Sequence, residues 1–257
     1  SIGVQSFEQN ELEFLGRRHD VQDALDAVED FRMVGVPFGL DLIQGLPGQS
    51  VEARMRSLQK AVAQKPAHIS VYELTIDEGS EFFKMGDKLP RATQDAVADG
   101  FVATSRYLRS RGFIHYEVSN YSAGDLSNAS RHNRRYWESR PWLGVGASAH
   151  SFDGASRWWN VRGAAAYIQA AQAGNTTVAG RETLTPEQKR LERVALGFRW
   201  MGGVAREDLL ADGLDGLLQR LAREKLIIVR EDRVHSTPEG FLVADGLARV
   251  LSGSMPV

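Results

Sequence analysis

Asp41-Leu42-Ile43-Gln44-Gly45-Leu46-Pro47-Gly48-Gln49 is an apolar run that carries one carboxylate and closes on a glycine- and proline-rich turn. A short apolar run bounded by such residues reads as a buried strand, here Gly39 to Ile43. On either side, Val21 to Val34 and Val51 to Gln64 space apolar residues three and four apart, with Ala24, Leu25, Val28 and Phe31 on one stripe. That spacing predicts helices laid on a sheet. Asp20 and Ser50 occupy N-cap positions, and Gly35 and Gly45 supply the breaks that a helix end and a strand-to-helix turn require. Ser1 to Gln5 and His68 to Leu74 read as further strands, and a helix over about Ala92 to Arg111 precedes a strand near Ile114 to Ser119. Strands alternating with crossover helices predict an α/β fold around a parallel sheet.

From Asn120 to Gly163 the periodicity fails and Gly, Ser, Asn and aromatic residues take over. Long irregular stretches inside compact proteins are usually functional. A helix over Ala164 to Ala173 and a polar linker, Gly174 to Thr183, follow. Pro186 to Trp200, Arg206 to Ala211 and Leu214 to Arg223 then predict three helices, Leu226 to Arg230 and Arg233 to Ser236 a hairpin, and Pro238 to Leu251 a closing helix. Three helices with a two-stranded wing make a small winged-helix-like domain. The expected divisions are residues 1–120, 121–180 and 181–257.

The 257 residues carry 31 basic and 33 acidic side chains, a net charge of −2. So even a balance gives no global field for nucleic acid or an anionic membrane. No apolar run reaches the roughly 18 residues of a membrane span, and no secretion signal opens the chain, so the cytoplasm is the expected compartment. Cysteine is absent, which removes disulfides, thiolate zinc sites and cysteine-held clusters from the chemistry of this chain. Ser1-Ile2-Gly3-Val4-Gln5 begins as the middle of a strand, and we expect a piece of a longer protein.

By itself the Asp41 segment places a carboxylate in a strand and a turn at the strand's carboxyl end, where ligands gather in parallel α/β folds. A plain strand-to-helix turn would look the same. Read in order, however, several segments resemble the radical S-adenosylmethionine proteins of the HemW and oxygen-independent coproporphyrinogen oxidase-like family. Ser1 to Phe7 is similar to the family's fourth barrel strand, the Asp41 segment to the fifth, and His68 to Thr75 to the sixth. Tyr116-Glu117-Val118-Ser119-Asn120-Tyr121, Arg131-His132-Asn133-Arg134-Arg135-Tyr136-Trp137, Gly144 to Ser151 and Trp158-Trp159-Asn160 continue the series to cover essentially the whole chain. The resemblance implies an incomplete (β/α) radical SAM barrel, an irregular extension and the winged-helix-like domain.

It also implies cofactors. Gln5, Arg17 and Asp41 stand where the family holds S-adenosylmethionine; carboxylates accept from ribose hydroxyls, and a guanidinium pairs with the methionyl carboxylate. Arg17 beside Arg18 is equally readable as a solvated surface residue. The family's [4Fe–4S] cluster needs three closely spaced cysteines that this chain lacks, so the chain as given is expected to be catalytically inactive. In the HemW branch the His-Asn-x-x-Tyr-Trp segment is associated with haem. Here it offers His132 as a ligand to haem iron, Tyr136 and Trp137 to pack on the porphyrin, and Arg131, Arg134 or Arg135 for the propionates. A histidine that merely braces a loop would fit the same residues.

The leading reading is a haem-binding chaperone that delivers haem to respiratory or other acceptor proteins. The first alternative is an oxygen-independent coproporphyrinogen III oxidase of porphyrin biosynthesis, and a further one is a non-catalytic scaffold or a DNA-binding module. Against DNA, Arg220 and Arg223 share their helix region with Asp215 and Glu224, a poor phosphate-binding face. His150 lies among small residues and reads as packing. Glu73 and Glu117, near strand ends, read as acid/base groups or as loop anchors, and no two of the other histidines have metal-ligand spacing.

Overall fold

The structure, a computed structural model, describes residues 1–89 and 92–253. The chain divides into two compact units, Ser1–Ala129 and a second beginning at Ser130. In the first, strands β1 (Ile2–Gln5), β2 (Gly39–Gln44) and β3 (His68–Glu73) lie parallel and adjacent. Helices α1 (Gln9–Phe14) and α2 (Val21–Val34) join β1 to β2, and α3 (Val51–Ala63) joins β2 to β3. α2 starts on a capping box in which Asp20 and Asp23 each accept from the other's backbone N–H, and it stops at Gly35, whose φ of 74° suits glycine. The Ser50 hydroxyl accepts from Ala53 N and caps α3.

After β3 come α4 (Glu81–Met85), α5 (Gln94–Ser110), β4 (Phe113–Glu117) and β5 (Asn120–Ala123). The sheet order is β1-β2-β3-β5-β4, and β5 runs antiparallel to both neighbours. The expected single strand near Ile114 to Ser119 is therefore a tight hairpin, and the sheet is mixed rather than all parallel. The short turn after β4 allows only an antiparallel return. The five strands form an open sheet with β1 and β4 at its edges. Leu40, Leu42, Ile69 and Val71 point to its helical side, where Ala24 and Val28 of α2, Leu58 and Ala61 of α3 and Leu108 of α5 complete the core. Phe31, expected on that stripe, is exposed.

The second unit opens with α6 (Arg131–Trp137), then β6 (His150–Phe152), β7 (Ser156–Asn160), α7 (Ala164–Gln172) and β8 (Val178–Thr183). The three strands form an antiparallel sheet in the order β6-β7-β8. Two expectations are corrected here: the irregular stretch holds a helix and, with β5, three strands, and the polar linker contains β8. A three-residue strand is too short to show alternation, and β8 is an edge strand whose side chains are mostly exposed.

Next come α8 (Pro186–Gly197), β9 (Val204–Ala205), α9 (Leu214–Arg223), β10 (Ile227–Arg230), β11 (Arg233–Ser236), α10 (Pro238–Leu242) and α11 (Ala244–Leu251). The helix expected over Arg206 to Ala211 is only a 3-10 turn, Arg206–Asp208. Leu209 and Ala211 are buried while Leu210 is exposed, the alternation of extended chain rather than helix. The closing helix is likewise two, with Val243 between them. The hairpin β10–β11 forms around Glu231 and Asp232 as expected, with Arg230 paired to Arg233. Val194, Phe198, Leu217, Leu221, Val234 and Leu251 lie in the core of this winged-helix-like part.

Candidate functional site

In the first unit, strand alternation sorts the candidates. Leu40 and Leu42 face the helices, so Asp41 between them faces the open side of the sheet. Its Oδ2 accepts from Ser1 Oγ at 2.8 Å. Val4 faces the helices, so Gly3 and Gln5 take the open side. Gln5 ends β1 with a φ of 68°, where the pairing with β2 slips register. Its side chain folds back over Gly3, since a Cβ on Gly3 would lie 2.7 Å from Gln5 Nε2. Ser70 pairs with Asp41 and shares its face, as does His68 two residues earlier. His68 Nε2 lies 2.9 Å from the Tyr116 hydroxyl. Burial lowers the pKa of His68, with the negative charge of Asp41 acting against that shift. The face away from the helices thus carries a polar row of Gln5, Asp41, Ser70, His68 and Tyr116, of which Ser70 and Tyr116 are buried. Arg17 lies outside it, exposed after α1 and held through its backbone N–H to Leu12 O at 3.0 Å. Among the described residues no hydrogen bond or ion pair places its guanidinium.

The turn after β2 is fixed from the helical side. Gly45 has a φ of 73°, and a Cβ there would sit 1.5 Å from Glu73 Oε1, so the Glu73 carboxylate packs directly on this glycine. Burial raises the pKa of Glu73, opposed by the charge of Arg54 and a hydrogen bond with Gln44. Gln49 Oε1 accepts from Gly45 N and Arg54 Nε, and Gln49 Nε2 donates to the buried Glu11 at 3.1 Å. Glu117 is buried and accepts from Ser119 N. Both glutamates left open by the sequence therefore anchor turns. Glu11 gave no sequence signal, because its burial depends on Ser6 and Gln49, residues that only the fold brings to it.

In the second unit, Ser130 Oγ accepts from Asn133 N and caps α6. One turn of helix puts His132 and Tyr136 on the same face, with ring centroids 5.0 Å apart and nearly perpendicular. Tyr136 meets Trp142 edge-on at 4.7 Å, and Trp142 meets Phe152 at 5.1 Å. His132 is exposed at the outer end of this series. Trp137 is turned away from it, toward α8 and β9. Of the arginines, Arg134 is committed to Glu138 at 2.6 Å and Arg135 donates to Pro141 O at 3.4 Å, whereas Arg131 is exposed.

The small-residue loop before β6 is braced by Asn160, whose Nδ2 donates to Gly146 O at 2.9 Å. His150, expected to be packed, is exposed and stacks on Trp159 at 5.8 Å, which in turn covers Gly180. Trp142 Nε1 donates to His150 O at 3.1 Å, bringing the two aromatic groups to one sheet face. Trp142 and Phe152 were not singled out from sequence, and no spacing links them to α6. Among the described residues no group of three His, Cys, Asp or Glu side chains is placed to hold a metal ion, and no helix is long and apolar enough to cross a membrane.

No family profile matches the chain. The fold is that of coproporphyrinogen III oxidase (HemN) from Escherichia coli, a radical SAM enzyme; the match has a TM-score of 0.76 at 19% identity and covers 98% of this chain and 63% of that one. The open sheet and the winged-helix-like part therefore share their fold with that enzyme. Heme chaperone HemW from Bacillus subtilis is 30% identical over 99% of this chain and 69% of its own length. HemW from Mycobacterium tuberculosis is 31% identical over 98% and 65%, and mouse mitochondrial radical S-adenosyl methionine domain-containing protein 1 is 32% identical over 77% and 42%. The chain belongs to the HemW family, and it spans about two thirds of the length of these bacterial relatives.

Proposed function

We propose that this chain is the haem-handling part of a HemW-like chaperone, binding haem at α6 and passing it to acceptor proteins. The observation that carries the reading is His132, exposed on α6 and continued inward by the Tyr136, Trp142 and Phe152 rings. These residues fit the group: an imidazole to ligate iron, an aromatic surface beside it, and Arg131 as a cation for a propionate. Haem would supply the iron; the protein's part is to orient the macrocycle and keep one edge open for transfer. The named relatives, heme chaperones, support the same reading. The likeness to the oxidase is one of fold alone.

S-adenosylmethionine is assigned to Gln5 and Asp41, supported by their place on one face of adjacent strands, with Arg17, exposed after α1 and outside that row, as the third residue of the assignment. No residue of this chain fits the [4Fe–4S] cluster, because none of the 257 is cysteine. Supplied with iron, sulfide and reductant, this chain should yield no 5′-deoxyadenosine.

The test for haem is spectroscopic. Hemin added to the chain should give a Soret band distinct from free hemin, and His132→Ala should shift or weaken it while the circular dichroism stays unchanged. His150→Ala is the parallel variant, since His150 is also an exposed imidazole near Trp142. A spectrum unchanged in His132→Ala would remove His132 as the ligand.

A further inference from the structure

The six histidines of the chain fall into two groups. His19, His68, His115 and His235 each have a ring nitrogen within hydrogen-bond distance of a partner: Val4 O at 3.1 Å, the Tyr116 hydroxyl at 2.9 Å, Ser105 Oγ at 2.9 Å and Met201 O at 2.9 Å. His132 and His150 have no such partner among the described residues, and they are the two that are exposed. Their rings meet Tyr136 and Trp159 instead. A neutral imidazole with an uncommitted ring nitrogen is a ligand for haem iron. The second unit therefore holds two such groups.

Strand pairing puts His150 on the aromatic surface that α6 continues. His150 and Phe152 stand two residues apart in β6, so their side chains leave the sheet on one face. Trp142 lies opposite Phe152 with their rings 5.1 Å apart, and Trp159 lies opposite His150 and stacks on it with 29° between the ring planes. Tyr136 reaches the same Trp142 from α6 at 4.7 Å. The main chain at His150 is held on both sides: its carbonyl accepts from Trp142 Nε1 at 3.1 Å, and the Ala149 carbonyl accepts from Asn160 N at 3.0 Å. Only the imidazole is left uncommitted. We propose that His150 is a second ligand for the haem iron, able to hold it without His132. This rests on the haem reading above and adds a second station on the same aromatic surface. Passing the iron from His132 to His150 breaks one iron–nitrogen bond and forms another, with no change of oxidation state and no net proton transfer. The macrocycle is thereby loosened from α6 while it still lies on the Trp142 side of the sheet.

The probe is hemin, reduced with dithionite on the chain and read by resonance Raman spectroscopy. The iron–histidine stretch is recognised by its shift when the chain carries ¹⁵N-histidine. His132→Ala should keep an isotope-sensitive stretch, supplied by His150, and His132→Ala combined with His150→Phe should lose it. Phenylalanine keeps a ring on Trp159 without a ligating nitrogen, so the circular dichroism and the thermal midpoint should not change. Loss of the stretch in His132→Ala alone, while the unmodified chain still gives a Soret band distinct from free hemin, would overturn this proposal and leave the haem reading standing. A stretch that survives in the double variant would overturn it too. No distinct Soret band in the unmodified chain would overturn both.

Discussion

The open face of the first unit's sheet and the outer face of α6 hold their candidate ligand groups by different means. On the sheet, Asp41 is set by neighbours in sequence: Leu40 and Leu42 are buried under the helices, so the carboxylate has only the other side to occupy. On α6, seven residues long with none of them buried, placement comes from remote rings, Trp142 and Phe152. The sheet residues are consequently hard to move without unfolding the unit. The α6 residues are open to change at little cost, as the proposed uptake and release of haem would require.

The strongest way to test that contrast is to damage the sheet's support. Leu58, buried in α3 against the strands, should cost about 2–5 kcal/mol on substitution to alanine, read by denaturant unfolding. Val145→Ala in the exposed loop before β6 should stay within about 0.5 kcal/mol. A small loss at Leu58 would mean that the sheet face is not fixed by its core.

Acid should distinguish the units next. Burial pushes the His115 pKa down to about 4, and His68 is shifted the same way. The unfolded chain takes up protons at these residues before the folded chain does, so stability falls as pH drops from about 6.5 toward 4. For His115 the loss is on the order of 3 kcal/mol. His115→Phe, measured by unfolding across that window, should flatten the slope. Glu73 has the opposite sign: its raised pKa makes stability fall as pH rises above the ordinary carboxylate value, and Glu73→Gln should remove that component.

Smaller effects belong to the second unit. Asn160→Ala removes the brace to Gly146 and should cost about 1–2 kcal/mol, with a change in Trp159 fluorescence. His132→Ala should alter stability by less than about 0.5 kcal/mol, because its side chain is exposed. A loss above 1 kcal/mol there would turn His132 into a structural residue and weaken the haem reading.

Much of this molecule was legible as sequence because its signals are local. Asp20, Gly35 and Ser50 punctuate helices through contacts within a few residues, and the Asp41 run is a strand by its own alternation and closing turn. The placement of Asp41 on the open face follows from that same period of two. The hairpin of β10 and β11 was equally readable, its two strands flanking Glu231-Asp232.

Other features depend on partners distant in the chain. β5 enters between β3 and β4 through pairing with residues some fifty positions earlier, and β8 is a strand only because β7 offers it an edge. Arg206 to Ala211 has an apolar pattern compatible with helix, yet its two buried apolar positions, Leu209 and Ala211, are filled from extended chain. The His132-to-Trp137 segment states its residue types plainly. What it does not state is that one helical turn unites His132 with Tyr136 and sends Trp137 elsewhere, or that Trp142 lies against Tyr136. Period and capping are properties of neighbouring residues, whereas a shared face and a cavity arise from which elements pack together, and that is decided by burying apolar surface across the whole unit.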